Sequence, residues 1–544
     1  MDGRSGMTRS GMTSNVLSYL QRSCREFPDK TAVSDSSSGM TYSQLWTRAC
    51  AAGAGLSGML RGRRNRPVFV CIGRDKESVA AFFGVLCSGN FYVPVDLSLP
   101  GKRLEDIYRT MEPEAVILTD PEGDIRSLGD DFPFPKEKAV FLKELEERGA
   151  AEGGCEALAG RTMRESLDTD PAYCIFTSGS TGVPKGVLIS HRSIIDMAEQ
   201  FSETFALDES RVFGNQAPFD FDVSVKDIYL TVRCGASMHI LEKPLFMMTK
   251  KLVERLNLFR VNTLIWAASA MKVLSALRTF DSILPEHLRL VMFSGEALPC
   301  SVLNDWRGHL PGVSFVNLYG PTEITCNCTY YPVEKEFADD GRIPIGRPFR
   351  NSGVFLLDGD REVTGEGEPG EICVRGSCLA LGYYGDPQRT EASFCKNPLC
   401  PDYPERIYRT GDLARWDGEG NLQFIGRADS QIKHMGHRIE LGEIETAAGA
   451  IPFITAVCCL HHEEKERICL FYEAEQQDDK AVFAALKKTL PGYMIPNRLY
   501  YFSKMPENRT GKIDRAFLRR AYLTEAPAVE DRIQTENERT ESKK

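Results

Sequence analysis

No stretch of this sequence approaches the ~18 consecutive apolar residues that span a bilayer, so no membrane insertion is expected. A basic excess is also missing: 66 lysines and arginines stand against 76 aspartates and glutamates, for a net charge of −10. A nonspecific nucleic-acid binder would present the opposite field, although a nucleotide can still be held by a local cluster of donors. Cysteines are plentiful, 17 in 544 residues, but they lack the regular spacing of a disulfide scaffold. Most stand in apolar runs, as Cys174, Cys373 and Cys458-Cys459 do, and read as reduced core thiols. Cys326-Asn327-Cys328 lacks the neighbouring cysteine or histidine that would complete a zinc site. Residues 1–14 carry Gly, Ser, Met and Arg without an apolar core, so they read as a loose arm and not as a secretory leader. These absences together point to a cytoplasmic protein.

What is present begins with Phe176-Thr177-Ser178-Gly179-Ser180-Thr181-Gly182-Val183-Pro184-Lys185-Gly186-Val187. Apolar runs flank it, Ala172–Phe176 before and Val187–Ile189 after, so the stretch reads as strand–loop–strand. Glycines let the backbone approach an anion closely. Hydroxyls and backbone N–H groups add donors, and a nucleotide phosphate is the natural guest. It is not a Walker loop, because no Gly-Lys-Ser/Thr follows at the required spacing.

The length implies more than one domain. From Asn15 to Ala172, helical and strand-like patterns alternate, with Thr41 placed to cap a helix and Val68–Ile72, Phe91–Val95 and Ala115–Thr119 as buried strands. That alternation predicts a largely parallel sheet covered on both faces. Asp120 to Glu165 is charged, Gly-rich and weakly periodic, and reads as a surface connection. His191 opens a helix, where a packed role is the ordinary one for histidine. Leu290–Ser294 and Phe315–Tyr319 are strands that leave into polar glycine turns, as at the ligand-binding edge of an α/β sheet. From Gly346 the texture turns β-rich. A last unit begins near Ser430, and the polar tail beyond Leu523 reads as disordered. The fold class is therefore α/β. A large N-terminal domain (15–428) has a β-rich subdomain at 346–428, a small mobile α+β domain follows (429–523), and 524–544 form the tail.

Five stretches carry a resemblance: Thr177–Gly186, Tyr319-Gly320-Pro321-Thr322-Glu323, Tyr408-Arg409-Thr410-Gly411-Asp412, Gly436–Glu445 and Asn508-Arg509-Thr510-Gly511-Lys512-Ile513-Asp514-Arg515. In that order the chain resembles the adenylate-forming superfamily, which includes amino-acid adenylation domains, acyl-CoA synthetases and luciferases. It is most similar to stand-alone amino-acid activators such as D-alanine:carrier protein ligases, and to adenylation domains of nonribosomal peptide synthetases. The resemblance implies that a carboxylate attacks the α-phosphate of ATP, releasing pyrophosphate, and that a phosphopantetheine thiol then displaces AMP. It gives Thr177, Ser178, Gly179, Ser180, Thr181, Gly182 and Lys185 to the β- and γ-phosphates. Tyr319 would stack on adenine, and Gly295, Glu296, Asn317 and Gly320 would lie beside the nucleotide. Thr322 would contact the α-phosphate, and Glu323 would hold Mg²⁺ through hard oxygen. Asp412, supported by Arg427, would take the ribose hydroxyls. Lys512 would bridge α-phosphate and substrate carboxylate. Asp429 would be the hinge of a domain rotation that exchanges Lys512 for the segment around Lys433 and Gly436.

The same resemblance makes Asp222, in Phe221-Asp222-Val223-Ser224, the carboxylate that grips the substrate α-ammonium. Two other readings stand beside it: Asp222 pairs with Lys226 on a helix edge, or Asp220 does the gripping. Val223, Lys226, Ile265, Met292, Ser294, Leu318, Cys326 and Asn327 would line the side-chain pocket. Trp266, next to Ile265, is in position to intrude and shrink it. A small, D-alanine-like substrate is favoured, with Ser294 standing where the D-alanine ligases carry cysteine. The alternatives are an acidic or polar amino acid, if Lys226 points inward with Asn327, and an acyl- or aryl-CoA ligase. A further reading has Lys226 snorkelling outward and carrying no information. The tail after Arg515 lacks a phosphopantetheine serine motif, so a separate carrier protein is expected as partner.

Overall fold

Thr41 shows how locally a helix is specified. Its hydroxyl accepts from the Gln44 backbone, and the Gln44 side chain accepts from the Thr41 N–H at 2.8 Å. This capping box starts the helix Tyr42–Met59. The computed structural model describes residues 13–120, 129, 132–179, 183–427, 431–463, 465–506, 508 and 513–523. The chain divides into two compact units. The first is made of Met1–Leu99, Leu104–Thr177 and Pro184–Asp429, and the second of Ser430–Lys544 with Pro100–Arg103 and Ser178–Val183.

The apolar runs of the first unit become two large sheets. Among the described residues one has seven strands, in the spatial order Gly382–Tyr383, Lys185–Ser190, Pro171–Thr177, Phe91–Val95, Pro67–Cys71, Ala115–Leu118 and Ala139–Phe141. The other has nine, and its middle runs Ser314–Tyr319, Leu290–Ser294, Thr263–Ala267, Val212–Asn215, Ser237–Ile240. Those middle strands pair in parallel. A shared core takes one face of each sheet, with Val70, Tyr92 and Ile175 from the first and Ile265, Met292 and Leu318 from the second. Helices Lys76–Cys87 and Val223–Cys234 contribute to it and are buried on nearly every side. A helix covered all round is what a position between two sheets requires. The opposite face of the nine-stranded sheet has its own core of Leu264, Trp266, Val291, Phe293 and Phe315.

The stretch 120–165 departs from its reading as a surface connection. It contains the edge strand Ala139–Phe141 and the helices Leu142–Glu152 and Cys155–Glu165. Gly55 and Gly149 let two helices touch: a Cβ on Gly149 would lie 1.9 Å from the Ala51 carbonyl oxygen, and one on Gly55 2.1 Å from that of Leu145. Of the glycines in this stretch, Gly149 is a packing contact.

Beyond residue 346 a third, antiparallel sheet holds Ser352–Asp358, Gly370–Gly376 and the long strand Arg406–Trp416, with Leu422–Arg427 beside the last. In the second unit, Ile454–His462, Arg467–Ala474 and Arg498–Phe502 form a sheet. It packs on helices Leu441–Gly449 and Asp479–Thr489 through Ile444, Leu470, Val482 and Leu486. A hairpin, Gln431–His434 with His437–Glu440, turns through Met435 and Gly436, both at positive φ, as a tight two-residue turn demands. No helix among the described residues is long and apolar enough to cross a membrane.

Candidate active site

Thr177 ends one strand and Lys185 begins the next, and the two are register partners in an antiparallel pair. The two strands that flank the glycine-rich stretch are therefore fixed against each other. Ser180, Thr181 and Gly182 lie outside the described residues. The Thr177 hydroxyl is buried without a hydrogen-bond partner among the described residues, a donor held ready at the loop's foot. Lys185 turns back and meets Glu323 at 2.9 Å. The Glu323 oxygen also accepts from the Tyr383 hydroxyl at 2.8 Å, and Lys185 lies 3.2 Å from that hydroxyl and over its ring. Glu323 is fully buried, so this pairing supplies the hydrogen bonds a desolvated carboxylate needs. Tyr383 was not singled out in the sequence. Its one signal is the glycine-flanked pair Gly382-Tyr383-Tyr384, and nothing local ties that pair to Glu323.

Strand Ser314–Tyr319 leads into this cluster. Thr322, Glu323 and Ile324 form a short 3₁₀ turn, followed by Thr325 at φ 56° and Cys326 at φ 78°. Left-handed backbone at two consecutive non-glycine residues is costly. Gly320 makes the turn possible, because a Cβ there would lie 2.5 Å from Asn327 Cα. The Tyr319 hydroxyl donates to Asp412 Oδ2, and Arg427, Asp412's cross-strand partner, holds its Oδ1. Three residues predicted to surround the nucleoside are thus brought together. Burial, with Asp412's charge behind it, pushes the Tyr319 phenol well above its usual range. Asn317 spends its amide on the Pro344 carbonyl at 2.8 Å. Gly295 takes φ 92°, and the neighbouring Glu296 faces Lys272 at 3.6 Å.

Asp222 sits at the start of helix Val223–Cys234 and does not cap it with its side chain. The Cys326 thiol donates to its backbone carbonyl at 3.1 Å. Burial pushes that thiol's pKa up, and the Asp222 charge pushes it further. The Tyr173 phenol is raised in the same way, with Cys326 contributing ahead of Asp222. The charge of Asp220 registers on Arg74. Burial draws the Arg74 guanidinium down to about 10, opposed chiefly by the charge of Asp220. Arg74 also donates to the Gln216 carbonyl at 2.7 Å. The two acids of Phe219-Asp220-Phe221-Asp222 therefore have different surroundings.

The pairing of Asp222 with Lys226 and the outward lysine are both corrected. Lys226 is 1% exposed, and its ammonium donates to Asn327 Oδ1 at 2.7 Å. Ile265 and Met292 are register partners, and with Val223, Leu318 and Cys326 they are buried. Ser294 pairs in register with Ala267 and is buried as well. Trp266 does not intrude. Adjacent strand residues face opposite sides, and its indole donates to the Gly214 carbonyl at 2.7 Å within the other core. His191 is a packed residue, its Nδ1 accepting from the Val16 N–H and burial holding its pKa near 4. Lys512 and Asp429 lie outside the described residues.

A family model for AMP-binding enzymes matches residues 20–384. Tyrocidine synthase 1 of Brevibacillus parabrevis is 30% identical over 522 residues, which take in 94% of this chain and 45% of that protein. The chain spans less than half the length of the curated relatives it matches. Among solved structures, holo-PA1221, a nonribosomal peptide synthetase protein containing adenylation and PCP domains, is similar with a TM-score of 0.79 and 24% identity. That match covers 93% of this chain and 84% of the other. The Vibrio cholerae adenylation domain AlmE, in complex with glycyl-adenosine-5'-phosphate, is similar with a TM-score of 0.77 and 20% identity, covering 95% and 99%. At those identities the likeness is one of fold. The matched model spans both large sheets and ends just past Tyr383, and on that ground this chain belongs to the AMP-binding enzymes of the adenylate-forming superfamily.

Proposed function

We propose that this chain activates an amino acid with ATP, forming an aminoacyl-adenylate and pyrophosphate, and then passes the aminoacyl group to the phosphopantetheine thiol of a separate carrier protein. The observation that carries the reading is Asp222. Its charge acts on the buried thiol of Cys326, at the start of the buried helix Val223–Cys234, and a carboxylate in that position suits an α-ammonium. Fatty and aryl acids have no such group. Tyr319, Asp412 and Arg427 would orient the nucleoside, and the hairpin from Thr177 to Lys185 would receive the phosphates, the Thr177 hydroxyl, which has no hydrogen-bond partner among the described residues, fitting an anion. Glu323 offers the hard carboxylate oxygen that Mg²⁺ takes, and the bound ion would supply charge neutralisation at the phosphates. Lys185 and Tyr383 fix that carboxylate in place. Lys512 would stabilise charge between α-phosphate and substrate carboxylate, and rotation about Asp429 would separate the two half-reactions. The PCP domain in PA1221 supports a carrier as acceptor. The reading of the cysteines as reduced thiols supports a cytoplasmic setting.

Two side-chain classes fit the pocket residues. Likeness to D-alanine ligases supports a small one, and Lys226 with Asn327 supports an acidic or polar one. ATP–pyrophosphate exchange with D- and L-amino acids tests the activation step. Amino-acid-dependent exchange is expected, and exchange with fatty or aryl acids alone would contradict it.

A further inference from the structure

Helix Val223–Cys234 is buried continuously from Val223 to Val232, and Lys226 places a cation inside it. The hydrogen bond to Asn327 Oδ1 is the one its ammonium makes among the described residues. An ammonium only donates, so Asn327 must offer it the oxygen and turn its NH₂ the other way. Two donors therefore stand side by side, an ammonium with N–H bonds to spare and a carboxamide NH₂. The core cluster to which this helix contributes also holds Ile265, Met292, Leu318 and Cys326, and it is apolar.

A buried cation in such surroundings requires an anion. The adjacent acid Asp227 meets this need poorly. Its carboxylate takes the Asn215 amide at 2.9 Å, and burial drives its pKa up to about 7, so near neutral pH it carries only part of a charge. If Lys226 merely filled space to shrink the pocket for alanine, its charge would meet only the partly charged Asp227, on which it acts, and an Asp222 assigned to the substrate α-ammonium. A substrate carboxylate would satisfy both donors at once.

We infer that Lys226 and Asn327 form a receptor for a carboxylate on the substrate side chain, so that the amino acid activated here is of the aspartate or glutamate type. This rests on the amino-acid activation proposed above. With Asp222 one helical turn earlier holding the α-ammonium, the two ends of an acidic amino acid meet charges of opposite sign.

The test is pyrophosphate exchange by the full chain with glutamate, aspartate, glutamine, asparagine, alanine and glycine in both configurations, for the natural protein and for Lys226→Met. The natural protein should prefer an acid over its isosteric amide on the order of a hundredfold in kcat/KM, because a site built to pair one group rejects its analogue strongly. Lys226→Met should lose most of that ratio while keeping its melting temperature, since an apolar chain of similar length replaces a buried charge. Preference for alanine or glycine over both acids would overturn the inference and leave amino-acid activation standing. An unchanged acid-to-amide ratio in folded Lys226→Met would overturn it as well. Exchange with no amino acid would overturn the activation reading and this inference together. If the variant did not fold, the natural protein's acid-to-amide ratio alone would decide.

Discussion

Lys226 lies one helical turn beyond Asp222, yet its ammonium donates to Asn327 at 2.7 Å instead of closing on that carboxylate. Asp222 instead lies where its charge acts on Cys326 and Tyr173. A carboxylate assigned to a substrate ammonium has a measurable worth. Removing one partner of a buried pair costs about 3–5 kcal/mol, roughly two to four powers of ten. Asp222→Ala should therefore lower kcat/KM for the amino acid by that factor while leaving ATP binding nearly unchanged. Near-normal amino-acid exchange in the variant would remove Asp222 from the site.

Lys512 belongs to the Asn508–Arg515 motif, and its role is argued from sequence. Lys512→Ala should abolish adenylate formation and spare thiol transfer from an adenylate supplied ready-made. Single-turnover assays of each half-reaction read this directly. An equal loss in both would contradict a lysine that serves only the first.

Asp227 gives a pH signature. Burial raises its folded pKa from the ordinary carboxylate value to about 7, so the folded state binds its proton more tightly than the unfolded chain does. Its contribution to stability is complete below the unfolded pKa and is lost as pH rises through 7. His191 works in the opposite sense, since burial lowers its pKa to about 4 and destabilises the fold as pH falls below the unfolded value. Comparing the natural protein with Asp227→Asn isolates the first effect. Between pH 5 and pH 8 the natural protein should lose about 2–3 kcal/mol relative to the variant. Denaturant melts at both pH values read the difference, and parallel curves would contradict the buried acid.

How much was legible in the sequence follows from the range of each interaction. The capping box at Thr41 and the hairpin flanking the Gly-rich loop are set by residues a few positions apart, and both read correctly. The direction of Lys226 is decided by Asn327, about a hundred residues later, and its spacing from Asp222 suggested the wrong partner. Trp266 could have been placed from strand alternation alone, because its neighbour Ile265 was already assigned to the pocket side. Gly149 looked like loop composition, and only its contact with Ala51 shows it as a helix-crossing point.

That contrast predicts opposite signs for one kind of substitution. Gly149→Ala forces a Cβ against a carbonyl oxygen and should destabilise by about 1–3 kcal/mol, as overpacking does. Gly308→Ala, in helix Cys300–His309 with open space around its Cβ position, should stabilise by up to about 1 kcal/mol. Melting temperatures of the two variants check this, and a shared sign would contradict the packing assignment.

The central claim is that an aspartate selects acids bearing an α-amino group. Its most direct measurement is pyrophosphate exchange with matched pairs, each amino acid against the same acid lacking the amine, such as glutamate against glutarate and alanine against propionate. The account predicts exchange with at least one amino acid and a loss of about a hundredfold or more for its amine-free partner. Equal exchange with both members of every responsive pair would contradict it.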